Sequence, residues 1–270
     1  MSGADLAAAG PDPDERMTAA LRLPPPPSAP VADRAVLTAL RDAPVVAAGR
    51  IPESSNIVLL LELDAPDPDG GPLRAVYKPV RGERPLWDFP YGTLHFREVA
   101  TYELDVALGL GLVPPTVLRE GPAGPGSLQR YVAPAGRELE PAEESRAMAA
   151  LPAVALLDAL ANNADRKSAH LLAGAGGRLW AIDHGLTFLP YPRQRTVLIG
   201  LGGGVLPARP VRRLRSLAGD PERRAALDNR LGALLTTIET EATAARIDEL
   251  AADPVLPVLD DWDGRPFEWW

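Results

Sequence analysis

Two short apolar runs, residues 169–173 and 178–182, are separated by Gly174-Ala175-Gly176-Gly177, and this stretch ties the backbone down more tightly than any other. A glycine-containing break between apolar runs predicts a β-hairpin whose turn uses conformations open to glycine. Facing residues in such a hairpin sum to about 351, so His170 is expected opposite Ala181, with Asp183 roughly one pair further along. His170 and Asp183 then converge at the open end of the hairpin, and Asp165 lies just before it.

The polar residues around the hairpin form an ordered series. Asn162-Asn163-Ala164-Asp165-Arg166-Lys167 precedes the first run, His170 opens it, and the second run ends in Ile182-Asp183-His184-Gly185. A base-bearing loop followed by an apolar strand ending in a carboxylate is the order of parts in a phosphoryl-transfer site. In that reading Asp165 accepts the proton of a substrate hydroxyl. Arg166 holds the loop or a phosphate, and Asn162 and Asn163 shape the loop entry. Asp183 is the ligand of a magnesium ion bridging ATP phosphates. His170 stands where an oxygen ligand would be expected, which leaves a manganese preference, a single-metal site or a structural hydrogen bond open. His184 packs or hydrogen-bonds locally. The competing role of an Asp beside Arg is a helix cap.

Composition narrows the partners. A net charge of −8 and a pI near 5.0 argue against a nucleic-acid binder, whose footprint would be basic, and favour a small molecule or protein. The absence of Cys excludes disulfides, thiolate zinc sites and thiol catalysis, and fits a reducing cytoplasm. Three scattered histidines, at 95, 170 and 184, make a poor zinc set. No basic start leads into an apolar run, and no apolar stretch is long enough for a transmembrane segment. The expectation is a soluble, cytoplasmic protein.

Residues 1–34, rich in Ala, Asp and Pro with Pro24-Pro25-Pro26-Pro27, are expected to form a mobile tail, with packing of 17–23 as the competing possibility. Residues 35–135 read as a small β lobe. Strands are expected at 45–49, 57–63 and 73–79, followed by a helix at 96–108 and strands at 117–119 and 127–132. Residues 136–270 read as a mainly helical lobe, with helix at 143–161 and again at 222–251 behind Pro221.

Within the β lobe, Lys78 ends the apolar strand Ala75-Val76-Tyr77-Lys78-Pro79, where its ammonium could reach phosphate oxygens across a cleft. Its partner should be a carboxylate of the following helix. Glu98, near the helix start where the dipole favours an anion, is the first choice and Glu103 the competitor. Ser54, Ser55 and Asn56 occupy the turn where a phosphate loop is expected, although G-x-G-x-x-G is absent; backbone N–H groups and hydroxyls can still hold phosphate oxygens. Gln129, Tyr131 and Val132 should lie at the interlobe hinge, where backbone groups recognise adenine. Arg193, Arg195, Arg209, Arg212, Arg213 and Arg215 form a basic segment suited either to solvent or to an anionic partner. Phe267-Glu268-Trp269-Trp270 is expected to anchor the tail on the fold.

Taken together, Gly49-Arg50, Glu53-Ser54-Ser55-Asn56, Val76-Tyr77-Lys78-Pro79, Arg97-Glu98-Val99-Ala100, Leu112-Val113-Pro114-Pro115-Thr116 and the two aspartate motifs resemble an actinobacterial family. That family is related to the phosphatidylinositol 3-/4-kinase catalytic domain and, more distantly, to HipA-type kinases. The resemblance spans roughly residues 45–265. It implies an α+β, bilobal protein-kinase-like fold and the use of ATP with Mg2+ or Mn2+. It also implies that Lys78 contacts phosphates, Glu98 holds Lys78, Asp165 is catalytic and Asp183 binds metal. The chain departs from lipid kinases at His170, at His184 and in lacking accessory lipid-binding domains. The acceptor is therefore left open as a small molecule, lipid or protein, and transient membrane contact is compatible with the Arg segment. Two alternatives to phosphoryl transfer are a nucleotide-binding pseudokinase and a protein AMP-transferase.

Overall fold

The computed structural model describes residues 13–51 and 56–266. Five antiparallel strands form the first lobe: β1 (Val45–Arg50), β2 (Leu59–Pro66), β3 (Pro72–Pro79), β4 (Thr116–Gly121) and β5 (Gly124–Arg130), in the spatial order β1-β2-β3-β5-β4. Strand alternation places Leu73, Ala75 and Tyr77 of β3 in the core and Lys78 on the other face. Gly121 and Gly126 make room for the Tyr77 ring, since a Cβ at either position would strike it.

The expectation of a mobile tail over residues 1–34 is corrected from Pro13 onward. Helix α1 (Pro13–Leu21) and helix α2 (Val31–Asp42) pack onto the β lobe. Met17, Ala20 and Ala29 are buried, as are Val36, Leu37 and Leu40 of α2. The Arg16 guanidinium lies 5.7 Å from the centroid of the Phe96 ring. Apolar residues spaced at helical intervals, not the neighbouring polyproline run, decide this segment.

Helix α3 (Leu94–Leu108) is buried on nearly every side. It begins two residues before the expected start because the Glu83 carboxylate accepts the N–H groups of Gly92 (2.8 Å) and Leu94 (3.2 Å), supplying the cap that Thr93 does not. Glu83 belongs to a strap, residues 80–93, that runs from β3 to α3 along the cleft. Gly109 ends the helix in the left-handed conformation.

The second lobe contains α4 (Pro141–Ala161), the two-stranded hairpin β6 (Leu171–Ala173) and β7 (Leu179–Ala181), α5 (Ala208–Ala218), α6 (Pro221–Gly232) and α7 (Thr237–Ala252). The helix expected over 222–251 is two helices, because Thr236 and Glu239 form a capping box that starts α7 afresh. Helix α5 was not foreseen: its arginines read as a charge cluster, while Val211, Leu214 and Leu217 supply the buried stripe. One hydrophobic core runs through both lobes.

The hairpin register differs by one residue from expectation. Leu171 pairs with Ala181, and His170 therefore stands opposite Ile182, whose N–H donates to the His170 carbonyl at 3.0 Å. Gly177 is obligatory at the turn. Its φ is +74°, and an added Cβ would collide with the Glu143 backbone of α4.

Candidate phosphoryl-transfer site

Between the lobes lies a cleft of about 290 Å3 lined by Lys78, Arg84, Glu98, Asp165 and Asp183, among others. A larger hollow of about 780 Å3 lies in the second lobe alongside α7 and contains Arg193, Arg195 and Arg246. It holds neither Lys78 nor either site aspartate; the expected site residues meet in the smaller cleft.

Lys78 Nζ donates to Glu98 Oε1 and, at 2.8 Å, to Asp183 Oδ1. Burial opposes the ammonium charge, but the carboxylates of Asp183 and Glu98 outweigh it and hold Lys78 above its ordinary range. Burial raises Glu98, while the adjoining Lys78 ammonium holds Asp183 well below the usual carboxylate range. Glu98 Oε2 also accepts the backbone N–H of His184 at 2.9 Å, tying α3 to the strand carrying Asp183. Glu98 sits in the second turn of α3, so the ion pair and this N–H hold it more than the helix dipole does. Glu103 faces away and is bound by Arg230 at 2.5 Å.

Asp183 itself has φ of +59°, a left-handed conformation that Asp tolerates better than bulkier residues. Its Oδ2 faces His170 Nε2 at 3.4 Å. Burial lowers the His170 pKa, favouring the neutral ring, and Nδ1 lies 3.4 Å from the Lys167 N–H as acceptor. In this arrangement the ring proton belongs on Nε2, directed at Asp183. Ligation of a metal by Nε2 would require the other tautomer.

Asp165 is one-quarter exposed and paired with Lys167 Nζ at 2.9 Å. Burial raises its pKa, partly offset by Lys167. Its backbone N–H donates to Asn163 Oδ1 at 3.0 Å. Asn162 caps α4 in the left-handed conformation and donates to the carbonyls of Leu189 and Tyr191.

Of the two roles expected of Arg166, the structure shows the holding of the loop. The residue is completely buried, with Nε and Nη2 each 2.8 Å from the two Asp158 oxygens and Nη1 2.8 Å from the Ile182 carbonyl. All three of its nitrogens are engaged and none reaches the surface, so Arg166 fixes the loop against the segment after β7 that bears Asp183. Its partner Asp158 was missed; an isolated charge in the apolar run Val154-Ala155-Leu156-Leu157-Asp158-Ala159-Leu160 is the signal that would have found it. Lys167 was likewise missed as a partner of Asp165. The chain has only two lysines, Lys78 and Lys167, among its many arginines, and both stand here.

The phosphate-loop expectation divides. Ser54 and Ser55 lie outside the described residues, as do Phe267, Glu268, Trp269 and Trp270. Asn56 lines the cleft, but its Oδ1 accepts the Arg84 N–H at 3.1 Å. Gln129 is buried and donates to Thr116 Oγ1 at 2.9 Å, and the Tyr131 N–H donates to the Arg74 carbonyl at 2.8 Å. Gln129, Tyr131 and Val132 do not line the cleft around Lys78. The basic segment is dispersed: Arg193 pairs with Asp88 at 3.3 Å, Arg215 donates to the Ala251 carbonyl at 3.0 Å, and Arg209, Arg212 and Arg213 are exposed on α5.

Among the described residues no group of three or more His, Cys, Asp or Glu side chains could hold a metal ion. Among the described residues, Asp183 Oδ2 and, in its other tautomer, His170 Nε2 form a two-donor set. That set suits an ion that takes its remaining oxygens from a bound polyphosphate and water, as Mg2+ does. It does not suit a resident ion caged by protein alone.

Protein Rv2133c of Mycobacterium tuberculosis (strain ATCC 25618 / H37Rv) is 34% identical over 268 residues, covering 85% of this chain and 93% of that protein. The chain belongs to its family. No family model matches. Among solved structures, the Golgi casein kinase has a TM-score of 0.55 at 17% identity, covering 80% of this chain and 72% of its own. Hydra Fam20, solved with sugar, has a TM-score of 0.55 at 18% identity, covering 80% of this chain and 86% of its own. The Golgi casein kinase with Mn and ADP bound aligns similarly, at 0.54 and 16% identity, over 80% of this chain and 74% of its own. The fold is bilobal and kinase-like. No helix among the described residues is long and apolar enough to cross a membrane.

Proposed function

We propose that this chain is an ATP-dependent phosphotransferase that moves the γ-phosphoryl group to a hydroxyl of a small-molecule, lipid or protein acceptor. The observation that carries the reading is the convergence of Lys78, Glu98, Asp165 and Asp183 on one cleft of a kinase-like fold. Kinship to the phosphatidylinositol 3-/4-kinase catalytic domain rests on the sequence motifs alone. The kinase-like neighbour with Mn and ADP bound supports nucleotide and divalent-metal use.

The ammonium of Lys78 donates to phosphate oxygens, held in place by Glu98. Asp165, whose proton affinity is raised by burial, accepts the acceptor's hydroxyl proton as the acceptor oxygen bonds to the γ-phosphorus and the bond from that phosphorus to the bridging oxygen breaks, releasing ADP. Lys167 holds Asp165 ionised and oriented until that transfer. Asp183, with His170, would hold Mg2+ or Mn2+, which when bound supplies neutralisation of the polyphosphate charge. Arg166 keeps Asp165 and Asp183 in register without touching either substrate.

A second reading, nucleotide binding without transfer, is favoured by the 3.4 Å contact between His170 Nε2 and Asp183 Oδ2. ATP labelled at the γ- or α-phosphate separates phosphoryl transfer, AMP transfer and neither. The prior test is thermal stability of wild type and Asp183→Asn with ATP and Mg2+ or Mn2+. Ligand that binds only the folded state raises the melting temperature by mass action. A metal-dependent rise in wild type that disappears in D183N is the expected result. No rise with either metal at millimolar ATP sinks the proposal.

A further inference from the structure

We infer that Arg84, on the strap, is a phosphate-binding residue that contacts the transferred phosphoryl group of the nucleotide; this rests on the phosphotransferase reading. The charges of the cleft lead to it. Lys78 already faces two carboxylates, Glu98 and Asp183, and Asp165 is matched by Lys167. Glu83, also in the cleft, is engaged in capping α3. Arg84 lines the same cleft, is exposed, and its guanidinium has no partner among the described residues. A nucleoside triphosphate brings about four negative charges, and a planar guanidinium presents paired donors matched to phosphate oxygens.

The backbone beneath Arg84 is fixed, while its side chain is unengaged among the described residues. The Arg84 N–H donates to Asn56 Oδ1 at 3.1 Å, and the Ile57 N–H donates to the Gly82 carbonyl at 3.3 Å. Gly82 permits this approach, because a Cβ there would run into Ile57. The strap is thus fastened at the entry to β2, at the edge of the cleft. The lining contains Asp165 and Asp183 but not Gln129, Tyr131 or Val132, so Arg84 stands at the phosphoryl end and not at the hinge. A cation there reads the terminal phosphate and separates ATP from ADP.

Calorimetric titration of the full chain with ATP and with ADP, each with Mg2+ or Mn2+, tests this in wild type, Arg84→Ala and Arg84→Lys. A charge-assisted hydrogen bond corresponds to roughly 10- to 100-fold in affinity. R84A is expected to weaken ATP by that factor and ADP by less than about 3-fold, with R84K recovering part of the loss. Matching melting curves without ligand establish that the variants fold. Equal loss for both nucleotides, or loss for neither, overturns the assignment while leaving the phosphotransferase reading intact. Failure of wild type to bind either nucleotide overturns both.

Discussion

The cleft and the scaffold behind it use the same ingredients, Lys or Arg against Asp or Glu, at opposite exposures. In the cleft the Lys78 side chain is 27% exposed and that of Asp183 50%. Behind it, Arg97–Glu239 and Arg166–Asp158 are at most 2% exposed. A buried pair is fully committed, since each charge has surrendered its water and depends on its partner. The open cluster can exchange partners with a ligand at little cost. The difference separates residues that hold the site from residues that meet substrate, and sequence motifs do not make that separation.

Removing one member of a buried pair gives the largest expected effect on folding. Arg166→Met leaves Asp158 ionised without its counter-ion and should cost about 3–5 kcal/mol, read by denaturant unfolding. A loss below about 1 kcal/mol would erase the contrast with the cleft. Asp165→Asn should do the reverse. Phosphoryl transfer falls by roughly 10²-fold or more, measured with γ-labelled ATP once an acceptor is found, while the melting temperature stays within about 2 °C of wild type.

A smaller effect comes from Asp105, which is buried outside the cleft and accepts the N–H groups of Leu112 and Val113. Burial raises its pKa to about 7. A carboxyl with a higher pKa in the fold than in the unfolded chain contributes stability at low pH and loses it as pH rises through about 7. Asp105→Asn mimics the protonated form. The variant should match wild type below about pH 4, where the unfolded carboxyl is also protonated, and exceed it by a few degrees, about 2–5 °C, at pH 8. Equal melting curves at both values would show that Asp105 does not titrate in that window.

What was legible in the sequence follows from how local each signal is. Strand β2 was visible as the apolar run Ile57-Val58-Leu59-Leu60-Leu61 and β3 from its apolar residues between Arg74 and Lys78, and α4 from its Ala/Leu content and length. The aspartates 165 and 183 stood out because polar residues at the ends of apolar runs have no packing reason to be there. The sequence left Arg166 between holding the loop and a phosphate because its neighbour Asp165 faces the cleft, while its own partner Asp158 lies back in α4. The register error at His170 is a single residue, set by the exact shape of a glycine turn. Glu83 as the cap of α3, and the strap as a wall of the cleft, depend on contacts between segments that no periodicity encodes.

Arg97 joins these levels. On α3 next to Glu98, it donates to Glu239 at 2.5 Å, to the Thr187 carbonyl and to Thr93 Oγ1, with the Phe89 ring 5.1 Å from its guanidinium. Glu239 in turn closes the capping box of α7, so one guanidinium bolts the helix that aligns Lys78 to the framework of the opposite lobe. Swinging this helix outward would strand two charges in the interior. Moving α3 as a body away from Lys78 therefore also breaks this buried pair, and heat inactivation is expected to follow the unfolding curve.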